Sequence, residues 1–223
     1  MKLKETLELV RELKKSCYKA PGRRGAGNMH NKKVTIKHEE STKTLDSDAV
    51  ERLIPNENKQ TMLKKLEIHL TLLDLLEMKP ERTTSPSIRV QNDALIKLQS
   101  AGVELLVALI DGNANNKSSL GFAMDIFISK IGERVGISRM LAALFEDNAP
   151  LVRDLPRSIL LDFAGQIQKI GTKLKNLFFY MDFFRNVIII KGVPMRRNQL
   201  LIMNLFTDSN NFPDILLTYC DPS

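Results

Sequence analysis

The sequence predicts an all-α chain: an armadillo-like helical-repeat solenoid with a disordered basic N-terminal linker. Three observations predict it. Apolar residues recur at three- and four-residue steps in segment after segment. Gly, Pro and Asn-rich corners separate those segments. Packing falls to Leu, Ile, Met and Phe in a chain that is 43% hydrophobic, with no Trp and three Tyr, which suits helix-on-helix contacts. The helix pairs recur roughly every few tens of residues, the spacing of a solenoid. The expected organisation is an amphipathic helix over 1–18, a basic flexible linker over 19–45, and a solenoid segment over 46–223 that is either complete or truncated at its C-terminus.

Leu3, Leu7, Val10, Leu13 and Cys17 step by three and four, so residues 2–17 form an amphipathic helix with Glu and Lys outside. It reads as a leading helix of the array or as a short coiled-coil seam. Residues 19–45 lack periodicity. Gly22, Gly25 and Gly27 do not make a phosphate cradle, because no strand precedes them and no Lys-Ser/Thr pair follows. His30 and His38 have no paired ligand at metal-site spacing.

Ser47 to Ile54 reads as a short helix capped by Asp46 or Ser47 and stopped by Pro55. Lys59 to Met78 reads as one helix. Its stripe is Met62, Leu66, Leu70 (or His69), Leu73 and Leu76, widened by Leu63, Leu72 and Leu75. Residues 79–87 form a linker in which Arg82, Ser85 and Pro86 resemble a kinase-accessible loop. A phosphate on Ser85 would add about −1.5 to −2 charge. Ile88 to Gln99 is the next helix, closed at Ala101-Gly102. Val103 to Ile110 is a compact apolar helix turned off at Asp111-Gly112-Asn113. Asn116-Lys117-Ser118 matches a glycosylation acceptor by accident, since no secretory signal is visible. Lys117 to Ile131 and Ile137 to Phe145 follow, and Pro150 and Pro156 bracket a turn.

The stretch from Leu160 to Phe206 carries the densest pattern. Leu160, Leu161, Ala164, Ile167 and Ile170 line one face, and Gly171 suits a left-handed C-cap. Leu174 to Ile190 is apolar nearly all round, as in a helix buried on more than one side. Its Val187-Ile188-Ile189-Ile190 end is β-branched and could pass for a strand, although the periodic run before it favours helix. Gly192 ends it, and Pro194 suits the first turn of the helix through Leu200 to Phe206. Phe212 to Tyr219 is a last helical segment.

Charge and composition exclude several function classes. Residues 1–45 hold 12 Lys+Arg against 5 Asp+Glu, and the rest hold 21 of each. The basic excess belongs to the tail, which argues against a nucleic-acid face on the body and leaves the tail as a solvated arm or, alternatively, a contact for RNA or anionic lipid. No apolar run reaches the length of a membrane span. Cys17 and Cys220 stand at opposite ends, against a disulfide framework and in favour of a reducing compartment. No paired carboxylate, activated Ser or His cluster marks a reaction centre, so no enzyme, cofactor or metal is expected. Arg185, Lys191, Arg196 and Arg197 are the candidate partner contacts. The competing reading is a solvated corner whose charges complement helix C-termini.

From Leu160 to Asp221 the chain resembles the helical-repeat homology region shared by inositol trisphosphate receptors and ryanodine receptors. The resemblance is carried by the helix before Gly171, the helix NLFFYMDFFRNVIIIKG, the pair Arg196-Arg197 followed by Gln199, the helix Leu200 to Phe206, and DILLTYCD. The unit AGVELLVALI at 101–110 also has a counterpart; residues 1–60 show none. The resemblance implies a cytosolic regulatory segment of an intracellular ligand-gated calcium-release channel, relaying ligand state to a pore outside this chain. The segment would lie at the cytosolic face of the endoplasmic reticulum. Its partners would be other domains or subunits of the channel, and it would meet the membrane only through the full-length protein. It carries over no binding residue. The alternative is a free-standing armadillo-like adaptor for a partner protein.

Overall fold

A computed structural model describes residues 3–19, 53–81, 85–170 and 174–207. Within them the chain is all-α apart from one two-residue hairpin. The helices are α1 (Leu3–Ser16), α2 (Glu57–Lys65), α3 (Ile68–Glu77), α4 (Pro86–Ile110), α5 (Ala114–Ser119), α6 (Met124–Ser129), α7 (Ile137–Phe145), α8 (Ala149–Arg153), α9 (Arg157–Ile170), α10 (Leu174–Ile188) and α11 (Arg196–Thr207). A 3-10 turn, Leu120–Ala123, joins α5 to α6. Strands β1 (Ile189–Ile190) and β2 (Val193–Pro194) pair antiparallel, with Ile189 opposite Pro194 and Ile190 opposite Val193.

The long helix α4 is the spine. Helices α1, α2, α3 and α7 pack on it, and α10 lies along α7. Of the two readings of the first helix, the packing is that of a leading helix on the array. Cys17 is fully buried, and Lys14 Nζ reaches Glu104 Oε2 at 2.7 Å. The chain leaving α1 pairs with the chain entering α2: Lys19 N–H donates to Ile54 O and Asn56 N–H to Cys17 O. Apolar side chains from α4, α7, α9 and α10 make one core. Phe163 stacks on Phe183 with centroids 3.8 Å apart, and Phe145 meets Phe183 edge-on at 5.3 Å.

Several expected boundaries move. The helix expected over Lys59–Met78 is two helices, because Glu67 adopts φ 57° and turns the chain between α2 and α3. Met62, Leu66 and Leu70 face solvent as a result, while Leu63, Leu72, Leu73 and Leu76 are buried. The break expected at Ala101-Gly102 does not exist; α4 runs straight through. Gly102 lies against α3, where an added Cβ would sit 3.4 Å from Leu72 and Leu75. Close helix approach holds the glycine inside the helix and outweighs its propensity cost of about 1 kcal/mol. The helix expected over Lys117–Ile131 is α5, the 3-10 turn and α6. The turn expected between Pro150 and Pro156 contains α8, with Pro150 in its first turn, where a missing N–H is tolerated.

The end of α10 is divided. Residues to Ile188 are helical, then Ile189 and Ile190 turn into the hairpin, so Pro194 sits in β2 and α11 begins at Arg196. Leu161, expected inside, is 38% exposed, and Phe163 takes its place in the core. Leu53 and Ile54 are not helical. The rest of the short helix expected at 47–54 lies outside the described residues, as do the Gly171 cap, Phe212–Tyr219 and nearly all of the 19–45 linker.

Candidate functional site

Three corners share one construction. At each, an apolar helix ends, the chain passes through positive φ, and a buried amide side chain donates to carbonyls at the helix end. The positive-φ residues are Gly112 (66°), Asp147 (51°), and Lys191 (48°) with Gly192 (80°). At the α4–α5 corner, Gln60 Nε2 donates to Ala108 O and Asp111 O, both at 2.8 Å. Asn113 Nδ2 donates to Gln60 Oε1, and Asn116 Nδ2 to Leu109 O. At the α7–α8 corner, Asn148 and Asn186 donate to Leu144 O and Ala142 O. At the hairpin corner, Asn198 Nδ2 donates to Val187 O at 2.9 Å and Val152 O at 3.1 Å.

The hairpin corner carries the expected partner contacts. Lys191 forms its turn, and its backbone N–H is held by Asp147 Oδ1 at 2.7 Å. Arg196 and Arg197 open α11 and are exposed. Arg197 Nη1 donates to Arg153 O at 2.9 Å, closing the C-terminal end of α8. Arg185 stands apart from this use, because Asp182 holds it at 2.8 Å on the same helix. Lys191, Arg196 and Arg197 thus gather at one corner, and Arg185 is already neutralised.

The electrostatics differ from the solvated-corner expectation. Arg185 lies in the last turn of α10, where a cation complements the helix dipole. Arg196 and Arg197 lie at the N-terminus of α11, where the dipole opposes them by about 0.3–1 kcal/mol each. Arg196 and Lys191 form no ion pair among the described residues. Among the described residues, the Arg196 and Lys191 side chains at this corner are therefore exposed without an ion pair.

A second feature is absent from any sequence pattern. A pocket of about 340 Å³ opens between α4, α7 and α10, lined by Ser100, Glu104, Arg134, Arg139 and Phe179 among others. Its residues come from three distant segments, which is why no local spacing announces it. Burial pushes the Tyr180 phenol at its floor upward in pKa, partly offset by its hydrogen bond with Ser138. The buried Cys17 thiol is pushed up to about 11, so it stays protonated and unreactive. Among the described residues no three His, Cys, Asp or Glu side chains cluster as metal ligands, and no helix is long and apolar enough to cross a membrane.

The resemblance to the receptor homology region rests on the helix before Gly171, the NLFFYMDFFRNVIIIKG segment, Arg196-Arg197 with Gln199, and the helix Leu200 to Phe206, and the pair opens α11. The family model of the RIH domain, the homology domain of ryanodine and inositol trisphosphate receptors, matches residues 33–218. The chain belongs to the RIH-domain family. The match extends further toward the N-terminus than the resemblance at 101–110 and 160–221. It takes in residues 33–60, where no counterpart was expected, and reaches α2, α3 and the first half of α4. The RIH domain here therefore includes the Gln60 clamp as well as the basic corner.

Proposed function

We propose that this RIH-domain chain is a cytosolic regulatory segment of an intracellular ligand-gated calcium-release channel. It lies at the cytosolic face of the endoplasmic reticulum and relays ligand binding toward the pore. The supporting observation is the family match over most of the chain. The mechanism rests on its build: stacked helices tied corner to corner move as a unit, so a displacement at one end is carried to the other. The contact to other domains or subunits of the channel is the hairpin corner, through Lys191, Arg196 and Arg197, with Arg185 at its edge. The chain does no catalysis in this role and needs no cofactor.

The test is the size and fractionation of the endogenous protein, with an antibody raised against residues 160–206. A very large membrane-associated band is expected. A soluble band near 25.3 kDa would overturn the channel assignment and leave a free-standing adaptor.

A further inference from the structure

The pocket between α4, α7 and α10 adjoins a groove between α1 and α4, and Ser100 and Glu104 line both. The two hollows hold about 340 and about 260 Å³. Leu7 and Val10 give the groove an apolar floor, and Val103 and Phe179 do the same for the pocket. The charge along their walls is one-sided. Arg11, Lys14, Lys97, Arg134 and Arg139 face two carboxylates, Glu104 and Glu133. Each carboxylate already has a cation: Lys14 holds Glu104 at 2.7 Å, and Lys130 holds Glu133 at 3.1 Å. Arg11 pairs loosely with Glu8 on its own helix at 3.7 Å, and Lys97, Arg134 and Arg139 form no ion pair among the described residues.

The arginine at the pocket end is oriented in advance. Arg139 Cζ lies 5.8 Å from the Phe179 ring centroid, and a guanidinium stacked on a ring keeps its N–H edge available for a carboxylate. Gly136 has open space where a side chain would stand, which keeps the entrance clear. The cations are divided between two hollows along one channel rather than converging on a point. That arrangement fits carboxylates spaced along a chain, with aliphatic atoms between them on the apolar floor.

We propose that this channel binds an acidic segment of a partner protein, with Arg134 and Arg139 taking carboxylates at one end and Lys97 and Arg11 at the other. The site is separate from the hairpin corner and does not depend on the channel assignment.

The test is fluorescence anisotropy on the full chain, with a fluorescein-labelled peptide of alternating Glu and Leu and its Gln counterpart. The Glu peptide is expected to bind, the Gln peptide not, and binding to weaken with added salt. Arg134→Gln with Arg139→Gln should weaken binding about tenfold or more, a loss of about 1.4 kcal/mol. Lys97→Gln with Arg11→Gln, two exposed side chains whose loss spares the fold, should do the same. Lys59→Gln with Lys65→Gln, on exposed α2 positions, removes equal charge and should change nothing; thermal melts verify folding. Equal loss in all three double variants would reduce the effect to net charge. Equal binding of the Gln peptide would also overturn the proposal, as would tripolyphosphate binding more tightly than the peptide at the same residues.

Discussion

The α4–α5 corner and the hairpin corner are built alike and exposed differently. Both reverse an apolar helix through a positive-φ residue and close its carbonyls with a buried amide. At α4–α5 the polar groups satisfy one another: Gln60, Asn113 and Asn116 are all buried and bonded within the corner. At the hairpin, Asn198 is buried in the same way, but Lys191, Arg196 and Arg197 stand outside it in solvent. A sealed amide network holds the array in one geometry, whereas the hairpin's exposed charge adds no such ties and is the surface proposed above as a contact.

The comparison can be broken most strongly at Gln60. Gln60→Leu keeps the volume but strands two carbonyls and the Asn113 amide, so urea unfolding should show a loss of about 3 kcal/mol. A loss below 1 kcal/mol would mean that the corner does not depend on its amides. Asn198→Leu strands two carbonyls, and a loss of about 2 kcal/mol is expected by the same measurement. Arg196→Glu with Arg197→Glu should leave stability within about 0.5 kcal/mol, since the lost Arg197 bond is offset by a better match to the α11 dipole. Binding to neighbouring channel domains should fall in a pull-down; unchanged binding with unchanged melting would remove both residues as contacts.

The smallest effect is on pH dependence at the sealed corner. His69 sits beside Leu109 and Asn116 with its Nδ1 shut off from solvent and unpartnered. Burial lowers its pKa from 6.5, and Lys64 lowers it further. The unfolded chain therefore takes the proton first. Stability from neutral His69 is full above pH 6.5 and declines as pH falls below it toward the lowered folded value. Between pH 7.5 and about 5.5, His69→Gln should show a smaller drop in melting temperature than the unsubstituted chain. Equal drops would place the acid sensitivity elsewhere.

Much of the architecture follows from local pattern. Three- and four-residue apolar steps suffice to place α1, α7, α9 and α11, because each helix must bury one stripe and the stripe is written in its own residues. The candidate corner was also readable, since Lys191, Arg196 and Arg197 lie close together in the chain. What the spacing did not show is that Arg185 pairs with Asp182, one turn earlier on the same helix. The amides were harder to see. Gln60, Gln99 and Asn198 look like ordinary surface residues until another helix end supplies the carbonyl each one bonds.

By itself, then, the sequence determined the all-α class, most helices and the basic corner, since these depend on neighbours within a few residues. Tertiary structure decided what depends on distant partners. Gly102 stays helical because α3 packs against it. Leu66 and Glu67 turn the chain so that α2 and α3 can both reach α4. Ile189 and Ile190 leave the helix to pair with Val193 and Pro194. The acidic-segment channel exists only where α1, α4, α7 and α10 meet. The hairpin is closed by partners within five residues; the others are contacts between segments far apart in the chain, and no periodicity within one segment records which surface will close over it.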